Sequence, residues 1–347
     1  MAHFFNEITL SVIIPVHNGG ENFRRCLSSI TAAVPPANEI IVVADGDTDD
    51  SAQLAETFDV RVLRTPTRKG PASARNLGAR MAQGDILFFV DADVTLSPDA
   101  IGQVKTLFRR QPDLAAVFGS YDDEPAETNF FSQYKNLLHH YVHQISCEEA
   151  STFWGGCGAI RSEVFYTIGG FDEHYREPSI EDIEFGYRLK QAGQKIQLCK
   201  TLQGKHLKHW DMVSLLKSDF FHRALPWTEL ILRKHWFVND LNLQTSNRIS
   251  VMLTYGLLGT LVGMGWWPGF LAIAGITGVA LFVLNAPLYR FFQRKCGLWF
   301  ALKTIPCHWL YYFYGGLAFI IGITHYIFRK SPVQGQVYQQ YRRVDLR

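Results

Sequence analysis

Short apolar runs alternate with helix-spaced stretches along the first hundred residues. "TLSVIIPV" (9–16), "EIIVVAD" (39–45), "VRVLRT" (60–65) and "DILFFV" (85–90) have the length and β-branched content of strands. Between them Glu21–Ala32, Asp49–Phe58 and "PASARNLGARMAQ" (71–83), with Pro71 in its first turn, carry apolar residues at helical spacing, and a further helix follows Pro98. This alternation predicts a parallel, doubly wound α/β sheet, in which ligands sit at the carboxyl ends of the strands. The next hundred residues are less regular. They hold the Gly-rich turn "WGGCGAI" (154–160), a helix over "EDIEFGYRLKQAG" (181–193), a strand "KIQLCK" (195–200) and the stretch "GKHLKHW" (204–210).

The pattern changes again near residue 249. Residues 249–267 carry no charge over 19 positions, 268–289 none over 22, and 304–328 form a third uncharged run. About 20 apolar residues cross a bilayer core, so spans are expected at about 249–267, 269–289 and 304–328, with "WWPG" (266–269) as a short turn. Upstream, residues 211–248 mix aromatics with Lys217, Arg223, Arg233 and Lys234, either as amphipathic interfacial helices or as ordinary packing helices. Arg290, Arg294, Lys295 and Lys303 between the second and third spans, with Arg233, Lys234 and Arg248 before the first, belong on the cytoplasmic side. That places a catalytic domain, residues 1–210, in the cytoplasm beneath the inner (plasma) membrane. Three full spans put the basic tail 329–347 (Arg329, Lys330, Arg342, Arg343) outside, against the same rule. Either 304–328 is partly re-entrant or the tail is an exception.

Composition narrows the picture. Of 347 residues, 47% are hydrophobic and 19% charged, which excludes a disordered chain, and a net charge of +2 gives no case for nucleic acid. The six cysteines are scattered without a CxxC pair, so neither a zinc site nor a disulfide framework is signalled. The N-terminal "MAHFFNEITLSVIIPV" lacks a basic region ahead of a signal-type apolar core, and export of the front of the chain is not expected.

The candidate chemistry lies at strand ends. Asp91 and Asp93 follow the fourth strand and, two apart in extended chain, face the same side. Two such carboxylates need solvent, a cation or a metal, and Mg2+ or Mn2+ favours carboxylate and phosphate oxygens. The second strand ends in "ADGDTDDS" with Asp45 and Asp47, the first in "PVHN" with Pro15, His17 and Asn18, and "GPASARNLGA" offers a helix N-terminus and Arg75 for phosphate or base. Each has a plainer alternative: Asn18 and Asp47 to Asp50 as caps, Arg75 as a surface charge, Glu181 and Asp182 as N-terminal helix charges.

In order, "PVHN" (15–18), "ADGDTDDS" (44–51), "GPASARNLGA" (70–79), "DAD" (91–93), "GGCGAIRSEVFYTIGGFDE" (155–173) and "EDIEFGYRL" (181–189) resemble the motifs of family 2 glycosyltransferases, the inverting GT-A group, over roughly residues 8–210. The resemblance implies a Rossmann-like mixed sheet, a UDP- or GDP-sugar donor and a divalent cation. It implies that His17, where the family has Tyr, caps the base and that Asp45 contacts it, while Ala44 departs from the family's first Asp. Arg75 and Asn76 would lie near the nucleotide. Asp91 would bind ribose or metal and Asp93 would be the more direct metal ligand. His206 or His209, the former preferred, would complete the metal site. Asp182 would be the general base, with Glu181 near the acceptor hydroxyl, and Gly155 and Gly156 would shape the acceptor wall. Trp227 in "RALPW" resembles an acceptor-binding element of membrane-bound members. The expected activity is transfer of a sugar to a lipid-linked, polyprenyl-linked or membrane-proximal acceptor. A processive polysaccharide synthase and a non-enzymatic membrane assembly subunit are the competing expectations; no full "QxxRW" is present, and intact "DAD" and "ED" speak against degeneration.

Overall fold

Phe88 and Phe89, neighbours in the run 86–90, face opposite sides of a sheet and are both fully buried, so that run lacks the alternation of a half-exposed strand. The structure, a computed structural model, describes residues 7–234 and 239–328. Eight strands form one sheet: β1 (Leu10–Val16), β2 (Glu39–Asp45), β3 (Arg61–Thr65), β4 (Ile86–Val90), β5 (Val94–Leu96), β6 (Leu114–Tyr121), β7 (Cys157–Arg161) and β8 (Lys195–His206). Their spatial order is β3-β2-β1-β4-β7-β6-β8-β5. β1 to β4 are mutually parallel, as the alternation predicts. β7 runs antiparallel to β4 and β6, and β5 antiparallel to β8, so the sheet is mixed. The alternation spoke only to β1 to β4, which are parallel, and the mixed sheet as a whole is the one the family resemblance implies.

Helices cover both faces. On one side α1 (Gly20–Thr31), α2 (Ser51–Glu56) and α4 (Ala100–Arg110) bring Phe23, Leu27, Ile101 and Phe108 against Val12, Ile14, Phe88 and Val90. On the other, α3 (Pro71–Met81), α6 (Ser162–Ile168) and α7 (Glu181–Gln191) bring Ala79, Phe165 and Phe185 against Ile13, Leu87 and Phe89. Each fully buried Phe or Leu contributes about 1.5–3 kcal/mol of transfer free energy.

The region that looked irregular contains α5 (Phe130–Ile145). Its His140 and His143 donate through Nδ1 to the carbonyls of Tyr121 (2.7 Å) and Gly119 (3.1 Å), fastening it to β6. Its Tyr134, Leu137 and Leu138 pack with Trp210, Leu288, Phe292 and Ala301. The last two of those partners lie on α11 (Phe270–Cys296) and α12 (Leu298–Phe328). α5 is thus wedged between the sheet and the C-terminal helices.

After β8 come α8 (Met212–Lys217), a π-helical turn over Ser218–Ala224, α9 (Leu225–Lys234) and α10 (Thr245–Gly263). Among the described residues two helices are long and apolar enough to cross a membrane, α11 with mean hydropathy 2.0 and α12 with 1.3. The first expected span falls short, because α10 begins with polar Asn247 and Arg248 and stops at Gly263, before the exposed Trp266 and Trp267. α11 and α12 extend beyond the expected bounds, each accommodating an internal proline, Pro287 and Pro306. Asn285 joins the three helices: its Nδ2 donates to Ser250 Oγ (3.0 Å) and its Oδ1 accepts from Tyr312 (2.7 Å). All six cysteines are unpaired. The tail 329–347, with its basic residues, and residues 235–238 within the expected interfacial segment lie outside the described residues.

Candidate active site

The carboxyl ends of β1, β2 and β4 and the start of β7 open on one cleft of about 860 Å3. Sheet register assembles its centre. Val90 pairs with Cys157, which lays the turn Gly155-Gly156 beside Asp91, and the Asp91 N–H donates to the Gly156 carbonyl (3.1 Å). A Cβ on Gly156 would stand 2.9 Å from Asp91 Oδ2, and one on Gly155 3.2 Å from Arg75 Cζ. Only bare backbone approaches these charged groups so closely.

Arg75 is the hub. It projects from α3 into the interior, 4% exposed, and splits its guanidinium between Glu181 Oε1 (2.8 Å) and Asp91 Oδ1 (2.6 Å). The surface-charge alternative is thereby excluded. Glu181 also accepts from the Ser179 N–H (2.9 Å). Next to it, Asp182 accepts from the Gly155 N–H (3.0 Å) and, at the α7 N-terminus, from the Ile183 N–H (2.8 Å). Burial first, then repulsion from Glu181, pushes the Asp182 carboxyl up to about 7, against the opposing pull of Arg75 and the Gly155 N–H. Adjacent carboxylates are thus set apart: Glu181 is held by a guanidinium, whereas Asp182 is poised to exchange a proton near neutrality.

Asp93 turns to a different partner. β5 pairs Val94 with His206, the last residue of β8, so His206 Nε2 lies 3.4 Å from Asp93 Oδ2. His206 Nδ1 donates to Asn136 Oδ1 (2.9 Å), which fixes the ring with Nε2 turned toward Asp93. Burial raises the Asp93 carboxyl, but His206 and Lys208 outweigh it and hold it below the usual carboxylate range. Among the described residues no group of three or more His, Cys, Asp or Glu is placed to hold a metal. His209 points elsewhere, to Glu127 (3.0 Å).

Pro15, His17, Asn18 and Asp45 line the opposite end of the cleft. His17 Nδ1 donates to the Asp45 carbonyl (3.0 Å), and Asn18 accepts from the Thr48 N–H (2.8 Å), which joins the first two strand-end loops. The Asp45 carboxylate is folded onto the loop before α3, accepting from the N–H groups of Lys69 (2.9 Å) and Gly70 (2.7 Å) and from Thr65 Oγ1 (2.8 Å). Asn76 is not brought to the cleft: its amide is spent on the backbone of Phe171 (2.8 and 2.9 Å) and on Glu173. Trp227 lines the far side and donates to Tyr187 (3.0 Å).

Sequence reasoning missed one wall. Lys135, His139 and His143 recur every fourth residue on α5 and line the cleft together, a periodicity visible in "KNLLHHYVH". His139 packs against Tyr121 (4.4 Å), His143 (4.1 Å) and Trp154 (5.1 Å), and burial keeps both histidines neutral at physiological pH. Lys135 contacts Asp219, whose other oxygen accepts from the Tyr314 hydroxyl (2.8 Å).

A mixed sheet flanked by helices, with paired acidic residues just past its fourth strand, defines a GT-A protein. The profile for "Glycosyl transferase family 2" matches residues 11–169, and that for "N-terminal domain of galactosyltransferase" residues 138–210. Glycosyltransferase AglE of Haloferax volcanii is 35% identical over 222 residues, covering 61% of this chain and 70% of that protein. An uncharacterized glycosyltransferase of Haemophilus influenzae is 28% identical over 196 residues, 52% of this chain and 62% of the relative, so the match spans less than two thirds of that protein's length. The mannosyltransferase PcManGT from Pyrobaculum calidifontis, solved with GDP-Man and Mn2+, has the same fold, with a TM-score of 0.57 at 17% identity over 91% of this chain and 88% of that one. The chain belongs to glycosyltransferase family 2.

Proposed function

We propose that the protein is an inverting, metal-dependent glycosyltransferase. It moves a sugar from a UDP- or GDP-sugar to the hydroxyl of a lipid-linked or membrane-proximal acceptor. Its active site lies on the cytoplasmic side of the inner membrane, with α11 and α12 as the anchor. The observation that carries this is a single carboxylate, Asp182, raised to about 7 in a cleft whose other carboxylates are already paired. The acceptor oxygen attacks the anomeric carbon as the sugar–diphosphate bond breaks, and Asp182 takes the acceptor proton. One displacement inverts the configuration and needs no covalent nucleophile. Pro15, His17, Asn18 and the loop held by Asp45 form the nucleotide end.

Asp93 and His206 offer a carboxylate oxygen and an imidazole nitrogen, and these two residues would hold Mg2+ or Mn2+. Bound there, the ion supplies positive charge to the departing diphosphate. His206→Ala should raise the Mn2+ concentration needed for half-maximal activity by about tenfold or more. An unchanged metal titration would remove His206 from the site.

The pH profile follows from Asp182. It must be deprotonated to act, so kcat should rise about tenfold per pH unit below pH 7 and level off above it. A profile flat from mildly acidic to alkaline pH counts against this base. The decisive test is a screen of nucleotide-sugars with the full chain in detergent and a membrane lipid extract, following labelled product by mass. No transfer or donor hydrolysis with any donor would overturn the assignment.

A further inference from the structure

Behind the cleft wall, α5 carries a second polar row. Ser132, Asn136 and His140 recur every fourth residue, and all three are buried. The first and last of them reach backbone. Ser132 Oγ accepts from the Trp210 N–H (2.7 Å), and His140 donates to the Tyr121 carbonyl (2.7 Å). Asn136, between them, reaches a side chain instead: its Oδ1 accepts from His206 Nδ1 (2.9 Å).

Three elements meet on that one imidazole, which lines the cleft while Asn136 stands behind it. Pairing with Val94 of β5 places its backbone, and the Tyr121 ring stacks on it, centroids 4.5 Å apart and planes 8° from parallel. Stacking alone does not choose an orientation, because a ring turned over by 180° packs as well with carbon toward Asp93. The hydrogen bond from Nδ1 to Asn136 separates the two and keeps Nε2 at 3.4 Å from Asp93 Oδ2. The amide is otherwise spare: its Nδ2 is buried with no hydrogen-bond partner among the described residues. An empty buried donor is destabilising, so packing alone favours an apolar side chain at this position.

Taking the cleft as that of a metal-dependent glycosyltransferase, we propose that Asn136 is a positioning residue for the metal centre, holding the His206 imidazole from behind with Nε2 turned to where a divalent cation would also meet Asp93. It touches neither the ion nor the substrate. Its carbonyl oxygen only accepts, which favours the ring tautomer with the proton on Nδ1, and in that tautomer Nε2 can ligate. The same helix rests on α11 and α12 through Tyr134, Leu137 and Leu138. The ligand therefore takes its alignment from an element that the C-terminal helices hold in place.

The test uses the full chain in detergent micelles with Mn2+ and either UDP or GDP. Free Mn2+ is counted by its electron paramagnetic resonance signal, and electron spin echo modulation reports a directly bound imidazole nitrogen. The wild type should show that nitrogen, and His206→Ala should lose it. Asn136→Leu should weaken Mn2+ binding by about tenfold or more and diminish the nitrogen signal. Asn136→Asp, which still accepts from Nδ1, should keep both near wild type. Asn136→Ala replaces the Leu variant should that one fail to fold, and thermal midpoints are recorded for all. A folded Leu or Ala variant with wild-type Mn2+ affinity and nitrogen signal would overturn the proposal. So would an Asp variant that loses as much as the Leu variant, which would reduce Asn136 to a packing residue. If the wild type binds no Mn2+ with either nucleotide, or His206→Ala binds it as wild type, the metal-site assignment fails and the positioning role falls with it. Loss in His206→Ala without loss in Asn136→Leu sinks the positioning role alone.

Discussion

Replacing Asp182 with Asn should lower sugar transfer by about 10^3-fold while leaving nucleotide binding close to wild type. The amide oxygen can still accept from the Gly155 N–H, so the turn stays in place and only the proton acceptor is lost. Turnover and calorimetric titration with UDP and GDP, run on one preparation, separate the two effects. Wild-type turnover in the Asn variant would show that Asp182 is not the base. Glu181→Gln makes the informative contrast, since Glu181 is bound to Arg75 and its loss should register more in stability than in proton transfer.

Arg75→Met should destabilise the folded domain by about 3–5 kcal/mol, because it leaves Asp91 and Glu181 facing each other without their shared cation. With Arg75 and Glu181 almost fully buried, solvent cannot replace the guanidinium. A typical domain has only about 5–15 kcal/mol in total, so the loss should appear as a large drop in denaturation midpoint, together with loss of activity. Arg75→Lys keeps the charge but not the fork that reaches both carboxylates, and should fall between the two. A Met variant as stable as wild type would mean that the carboxylates are protonated or hydrated in the folded protein.

These two residues show what the sequence made legible. Strands β1 to β4, the helices between them and Asp182 at the start of α7 could all be placed from periodicity and motif order. Arg75 as the partner of Asp91 could not, and His206 was set beside Asp93 by family resemblance, not by pattern. Arg75 lies 16 positions before Asp91, on a helix whose inward face is defined only once α7 packs against the same sheet face. His206 meets Asp93 through β5, a three-residue strand too short to carry a pattern. Motif matching suggested nucleotide contact for Asn76, yet its short amide is captured by the Phe171 backbone.

The wedge position of α5 has a practical corollary for anyone wishing to isolate the catalytic half. Cutting the chain before α10 would strip Leu288, Phe292 and Ala301 from Tyr134, Leu137 and Leu138, and Tyr314 from Asp219. The fragment would keep every strand and the carboxylates of Glu181 and Asp182, yet carry a raw apolar seat beside a half-satisfied buried ion pair. In this protein the anchor doubles as part of the core, and solubility cannot be gained by trimming it.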